Sequence, residues 1–201
     1  MIASIFRYFN SDFVFLSALR HIIGLENIYV SYDIVCQWSK NFPTRCAQYT
    51  PKLRESFYRF LMKYAIPKFH LPAHGFGCWS LYSLNFICGS ARVDGEAIER
   101  FWSSLNPVAT STREMSTAAR HDFIEERIGA QNFRKVVDLG SSLSKKLHSA
   151  IKGQKRHRQE LEELTSSFEP ALVERWKEAV HDYHRDPANH RDPYSNQTQG
   201  K

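Results

Sequence analysis

Nowhere in the 201 residues does an apolar run reach the roughly 20 residues that a bilayer requires, so no membrane-spanning helix is expected. The opening stretch, MIASIFRYFNSDFVFL, carries a single early cation, Arg7, and no small-residue cleavage site, so no export signal is expected either. Cysteine is scarce. The four present (Cys36, Cys46, Cys78 and Cys88) never fall at CxxC spacing, which predicts reduced, buried thiols rather than a disulfide framework. There is no internal repeat. Acid is in deficit, with 21 Asp and Glu against 27 Lys and Arg, and a net charge of +6 favours an acidic partner, nucleic acid first. What is there is a chain 42% hydrophobic and 24% charged, a balance that predicts a folded domain with a core.

Hydrophobic periodicity predicts an α-rich chain. SDFVFLSALRHIIG reads as a helix over 12–23, with Ser11 as its N-cap and Gly24 as its stop. Ile28–Tyr32 reads as a short buried strand, and Asp33 follows at its C-terminal end. A helix is predicted over 34–48, interrupted or frayed at Pro43, and another from Pro51 to Tyr64. IPKFHLPAHGFG is punctuated by prolines and glycines and reads as a rigid loop, and CWSLYSLNFICGS fits helix or strand. DGEAIERFWSSLN reads as a helix capped by Asp94 and stopped before Pro107. VATSTREMSTAAR reads as an ordered loop. Helices are expected near 121–134, 135–152 and 160–181, followed by a disordered tail. One strand cannot stand alone, because its backbone groups need a neighbour. Either further strands are hidden in the sequence, or the sheet lies mostly outside it.

Against this deficit of acid, VDGEAIERFW places Asp94, Glu96 and Glu99 within six residues. The plain reading is a helix start that favours acids; the other is a metal site. On a helical wheel Ile98, Phe101, Trp102 and Leu105 form one arc, with Glu99 at its edge and Glu96 nearly opposite. Glu99 is therefore expected to reach inward, and Glu96 to face water or basic groups. Asp33 is either a helix cap or a ligand at a strand end. His70 and His74 could join Cys36 around zinc, but Pro72 breaks the i,i+4 geometry between them. A loop-fixing or substrate-contacting role fits these histidines better. The densest basic run, IKGQKRHRQE, offers Lys152, Lys155, Arg156 and Arg158 either as a solvated face or as a DNA contact.

Taken together and in this order, FNSDFVFLSALR, VSYDIVCQWSKNFPTR, IPKFHLPAHG, DGEAIERFWSSLNPVATSTREM and NFRKVVDLGSSLSKKLHSA resemble the C-terminal part of the catalytic region of the KDZ (Kyakuja–Dileera–Zisupton) DNA transposases. The resemblance implies an α-rich α/β fold. It would be an incomplete RNase H-like core of the DDE type, with a helical insertion over 34–90 and C-terminal helices. It implies that 1–150 is transposase, 151–182 a helical extension and 183–201 a disordered tail. Asp33 matches the second catalytic acid; the third falls within DGEAIER, where Glu96 and Glu99 both stand and the wheel favours Glu99. The first acid and the early strands would lie upstream. Mg²⁺ would be held by Asp33 and Glu99 in the full-length parent, with DNA as partner and the nucleus as location. Two departures are visible, CGSARV ahead of DGE and STAARHDF after STREM. Two other readings stay open: a non-catalytic DNA-binding protein derived from a transposase, and a structural helical protein.

Overall fold

The computed structural model describes residues 8–90 and 92–195. They fall into two compact units, one reaching to Ile98 and including Tyr194, the other spanning Glu99–Pro193.

The first unit is built around aromatic packing. Helix α1 (Phe9–Leu19) is followed by strand β1 (Asn27–Ser31), short helices α2 (Val35–Trp38) and α3 (Phe42–Cys46) joined by a 3-10 turn, and α4 (Pro51–Tyr58). Strand β2 (Leu61–Ala65), a 3-10 turn at Leu71–Ala73 and α5 (Phe76–Tyr82) complete it. The core gathers Leu16, Leu19, Val35, Trp38, Phe42, Cys46 and Ile66. Trp38 stacks on Phe42 with ring centroids 4.3 Å apart, and Phe15 meets both rings edge-on.

Helix α1 begins earlier than the sequence predicts, with Tyr8 at the cap position and Ser11 inside the helix. The cause is Asp12, which is fully buried rather than sitting at an exposed helix start. One carboxylate oxygen accepts from Trp38 Nε1 at 2.6 Å and from Arg45 Nη2 at 3.1 Å; the other accepts from Arg45 Nε at 2.6 Å. The predicted helix over 34–48 is split, because Pro43 sits in the first turn of α3, where its missing N–H costs nothing.

Strand β1 does have a neighbour, and the sequence reading missed it. It pairs in parallel with β2, Ile28 opposite Met62 and Val30 opposite Tyr64. The reading carried a helix on to Tyr64 because Phe57, Phe60, Leu61 and Tyr64 happen to fit a helical stripe; α4 stops at Tyr58. Nor is β1 buried on both faces. Ile28 and Val30 pack towards Trp38, while Tyr29 lies on the other face, where its hydroxyl and Lys63 both donate to the Cys88 carbonyl at 2.8 and 3.0 Å. Among the described residues the sheet has these two strands only, so the other edge of β1 is not strand-paired. Beside β1 lies a groove of about 590 Å³, lined by Val14, Phe15, Val30, Tyr32, Trp38 and Ile98.

Helix α6 (Ala97–Leu105) confirms the predicted helix but starts three residues after Asp94. Its apolar arc is not inward: Ile98 and Trp102 are exposed, and no residue of the helix is buried.

The second unit contains three long helices, α7 (Thr117–Val137), α8 (Leu139–Ser166) and α9 (Pro170–Arg185). Ser116 caps α7 by accepting from the Ala119 amide at 3.3 Å, ending the Ser/Thr-rich loop. Helix α8 runs unbroken through residues 150–160, where Lys and Arg are good helix formers. Leu139, Leu143, Leu147 and Ile151 of α8 are all exposed. Within the predicted tail, the Tyr194 ring stacks on Phe86 with centroids 4.1 Å apart. Residues 196–201 lie outside those described.

Candidate functional site

The loop between β2 and α5 is the meeting place of the sequence motifs. Asp33, half-exposed, stands two residues after β1, at its C-terminal end, as predicted. His70 Nε2 lies 3.7 Å from Asp33 Oδ1, beyond hydrogen-bond range but close enough for attraction when the imidazole is charged. The two halves of IPKFHLPAHG therefore do different things. His70 turns to Asp33, whereas His74 turns away, its Nδ1 lying 3.5 Å from Cys36 Sγ.

The clustered acids of DGEAIER are only partly explained by a helix start. Asp94 offers its backbone carbonyl to the Lys68 amide at 2.9 Å and its carboxylate to the Glu96 amide at 3.0 Å. Glu96 precedes the helix and is half-buried. Its Oε1 accepts from the Phe69 amide at 2.8 Å, next to His70. The expectation that Glu96 faces water is therefore wrong, because a wheel does not apply to a residue in the turn ahead of a helix. Gly95 makes this docking possible. Its φ of 79° lies in the left-handed region, and a Cβ there would stand 3.1 Å from Pro67 Cα and 2.5 Å from Ser31 Oγ. The DGE turn thus clamps the histidine loop against the end of β1 through backbone groups. Glu99 stands in the first turn of α6 and is exposed, so the expectation that it reaches inward is not met either, because the apolar arc it borders is itself exposed.

The basic run lies on α8. Lys152, Lys155, Arg156 and Arg158 are all exposed. The first three share a helix face by their spacing, and Arg156 also pairs with Glu160 at 3.5 Å. Cys78, which the sequence reading left unassigned, lies with Cys36 and His74: a ring nitrogen and both sulfurs fall within 4.8 Å of one another. Its i,i+4 spacing from His74 was the available signal.

Residues 4–132 match the family of Kyakuja-Dileera-Zisupton transposases. That match covers well over half of the chain and defines it as transposase by descent. The chain belongs to the KDZ transposase family. No curated protein and no solved structure matches it. No helix among the described residues is long and apolar enough to cross a membrane.

Proposed function

We propose that the chain is the C-terminal part of a DDE-type transposase catalytic region, with Asp33 as the second metal-binding acid and Glu99 as the third. Family membership over residues 4–132 carries this reading. Three observations support it. Asp33 presents a half-exposed carboxylate at the C-terminal end of a strand in a parallel pair, where α/β sheets place their ligands. The open edge of β1 and the apolar groove beside it suit a sheet that continues in the full-length parent, supplying the first acid and the early strands of an RNase H-like core. Glu99 lies on a helix, where the family pattern puts its third acid, whereas Glu96 lies in the turn ahead of it with Oε1 accepting from the Phe69 amide.

Carboxylate oxygens at Asp33 and Glu99 are donors of the kind that Mg²⁺ prefers. When bound, a metal pair supplies the activated nucleophile and the charge neutralisation that phosphodiester cleavage needs. The contribution of the chain itself is positional. The DGE turn fixes the loop, and the loop holds His70 beside Asp33. On this reading the 201-residue chain is inactive alone, and Asp33→Ala or Glu99→Ala abolishes DNA strand transfer by the parent.

A second reading, a DNA-binding protein without catalysis, is favoured by the exposed Lys152, Lys155, Arg156 and Arg158 on α8. Both readings place DNA as the partner and the nucleus as the compartment. DNA affinity measured against salt separates them from a purely structural protein. If three or four of these cations contact phosphates, log K falls against log salt with a slope of about −3 to −4, and charge-neutral variants flatten it. No measurable DNA binding at low salt excludes the second reading.

A further inference from the structure

We propose that Cys36, His74 and Cys78 form a binding site for a zinc-class transition-metal ion, separate from the Asp33 carboxylate, that ties α2 to the histidine loop and to α5. The three side chains come from different places in the fold. Cys36 lies in α2, three residues after Asp33; His74 ends the 3-10 turn at Leu71–Ala73; Cys78 lies in the first turn of α5. Their ligand atoms lie within 4.8 Å of one another, and no fourth His, Cys, Asp or Glu joins the group among the described residues.

The spacing fits a metal. With Zn–S near 2.3 Å and Zn–N near 2.0–2.1 Å, the sulfur-to-nitrogen edge of a tetrahedron is about 3.5 Å. The Cys36 Sγ to His74 Nδ1 distance is 3.5 Å. Thiol hydrogen bonds from Cys78 to Cys36 and from Cys36 to His74 would join the three side chains without metal; the same three atoms also make a compact ligand set around one point. Two sulfurs and an imidazole are the ligand set that selects zinc over magnesium. The geometry is also held in place. Trp79 Nε1 donates to the His74 carbonyl at 3.2 Å, fixing the backbone that carries the ring. Cys36 is buried and Cys78 half-buried, so the site is shielded yet reachable from one side. Without metal, burial and the neighbouring Cys36 hold the Cys78 thiol above its usual range, with Lys40 opposing them. Metal binding reverses this: two thiol protons leave to solvent, two thiolates and a neutral imidazole bind, and water takes the fourth position. The Pro72 objection disappears, because the partner of His74 at i,i+4 is Cys78 and not His70.

The test is cobalt titration of the chelator-treated, reduced 201-residue chain. The expected result is one Co²⁺ per chain with the intense visible bands of tetrahedral thiolate coordination. His74→Ala and Cys78→Ser should weaken binding by about 100-fold or more, beyond what loss of an outer-shell contact causes. Cys88→Ser should leave it unchanged. Because a change at buried Cys36 could disturb folding, alkylation of the unaltered chain serves as the second arm. Zinc should slow modification of Cys36 and Cys78 and leave Cys88 as reactive as before. Absence of cobalt binding, bands that survive both His74→Ala and Cys78→Ser, alkylation rates indifferent to zinc, or a Cys36–Cys78 disulfide in the isolated protein would each overturn the proposal. None of these readouts depends on transposase activity.

Discussion

Replacing Asp12 with alanine should remove most of the stability of the first unit. Asp12 is fully buried and Arg45 nearly so, and three hydrogen bonds join the carboxylate to Arg45 and Trp38. The mutation leaves the Arg45 guanidinium inside the core with the Trp38 carbonyl and the Tyr8 ring for company, at 3.0 Å and 4.8 Å, and no counter-charge. Breaking a buried pair from one side costs about 3–5 kcal/mol. A domain has roughly 5–15 kcal/mol in total, so the variant should be marginal or unfolded at 37 °C. At about 4–8 °C per kcal/mol for a unit of this size, the melting temperature should drop by roughly 12 °C or more. Urea unfolding followed by tryptophan fluorescence is suited to this, since Trp38 reports directly from the core. Asp12→Asn, which retains an acceptor for Trp38, should cost less. The double variant Asp12→Ala with Arg45→Met should recover part of the loss, because it removes the stranded charge. A loss below about 1 kcal/mol for Asp12→Ala would show that water reaches the pair and would refute the reasoning.

Two further predictions concern the turn and the pH response. Gly95→Ala should cost about 2–5 kcal/mol, combining the left-handed backbone with the contacts to Pro67 and Ser31, whereas Gly24→Ala, with φ of 75° and open space, should cost only about 1–2; equal losses in urea would mean that the DGE turn does not dock as described. Burial raises the Tyr64 and Tyr82 phenols above 10.0, and burial raises the Cys46 thiol above 9.0. Groups raised in the folded state contribute stability that is complete below the unfolded values and is lost as pH climbs past them. Stability should therefore hold up to about pH 9 and decline above pH 10. Tyrosinate absorbance should show Tyr64 and Tyr82 lagging in the native chain; simultaneous ionisation of all nine tyrosines near 10 would contradict it.

Local signals in the sequence were read well where one residue determines the structure by itself. Gly24 marks the turn after α1, Asp33 falls at a strand end, and Pro107 lies just past α6, all as the residue chemistry dictates. Signals that depend on a partner were not. β2 looks helical because its stripe continues that of α4, and only pairing with β1 makes LMKYA a strand. Asp12 resembles a helix-start acid until Arg45, 33 residues away, draws it into the core. Glu96 was assigned to a helix face, although the Phe69 amide holds it in the preceding turn. Cys78 offers only its i,i+4 spacing from His74 in the sequence, and it is the fold that brings Cys36 to the pair. In each case the deciding contact is distant in sequence, where periodicity and capping rules carry no information.

On the proposed reading, Asp33 and Glu99 are metal-binding acids of a transposase core whose first acid lies upstream of this chain. The most direct measurement is Mg²⁺- or Mn²⁺-dependent nicking and strand transfer on end-bearing DNA, comparing the 201-residue chain with a polypeptide extended upstream. No activity is expected from the chain, activity is expected from the extended protein, and that activity should be lost in Asp33→Ala and Glu99→Ala but not in Glu96→Gln. Metal-dependent nicking by the chain alone that Asp33→Ala abolishes, or full activity of the extended protein after Glu99→Ala, would contradict it.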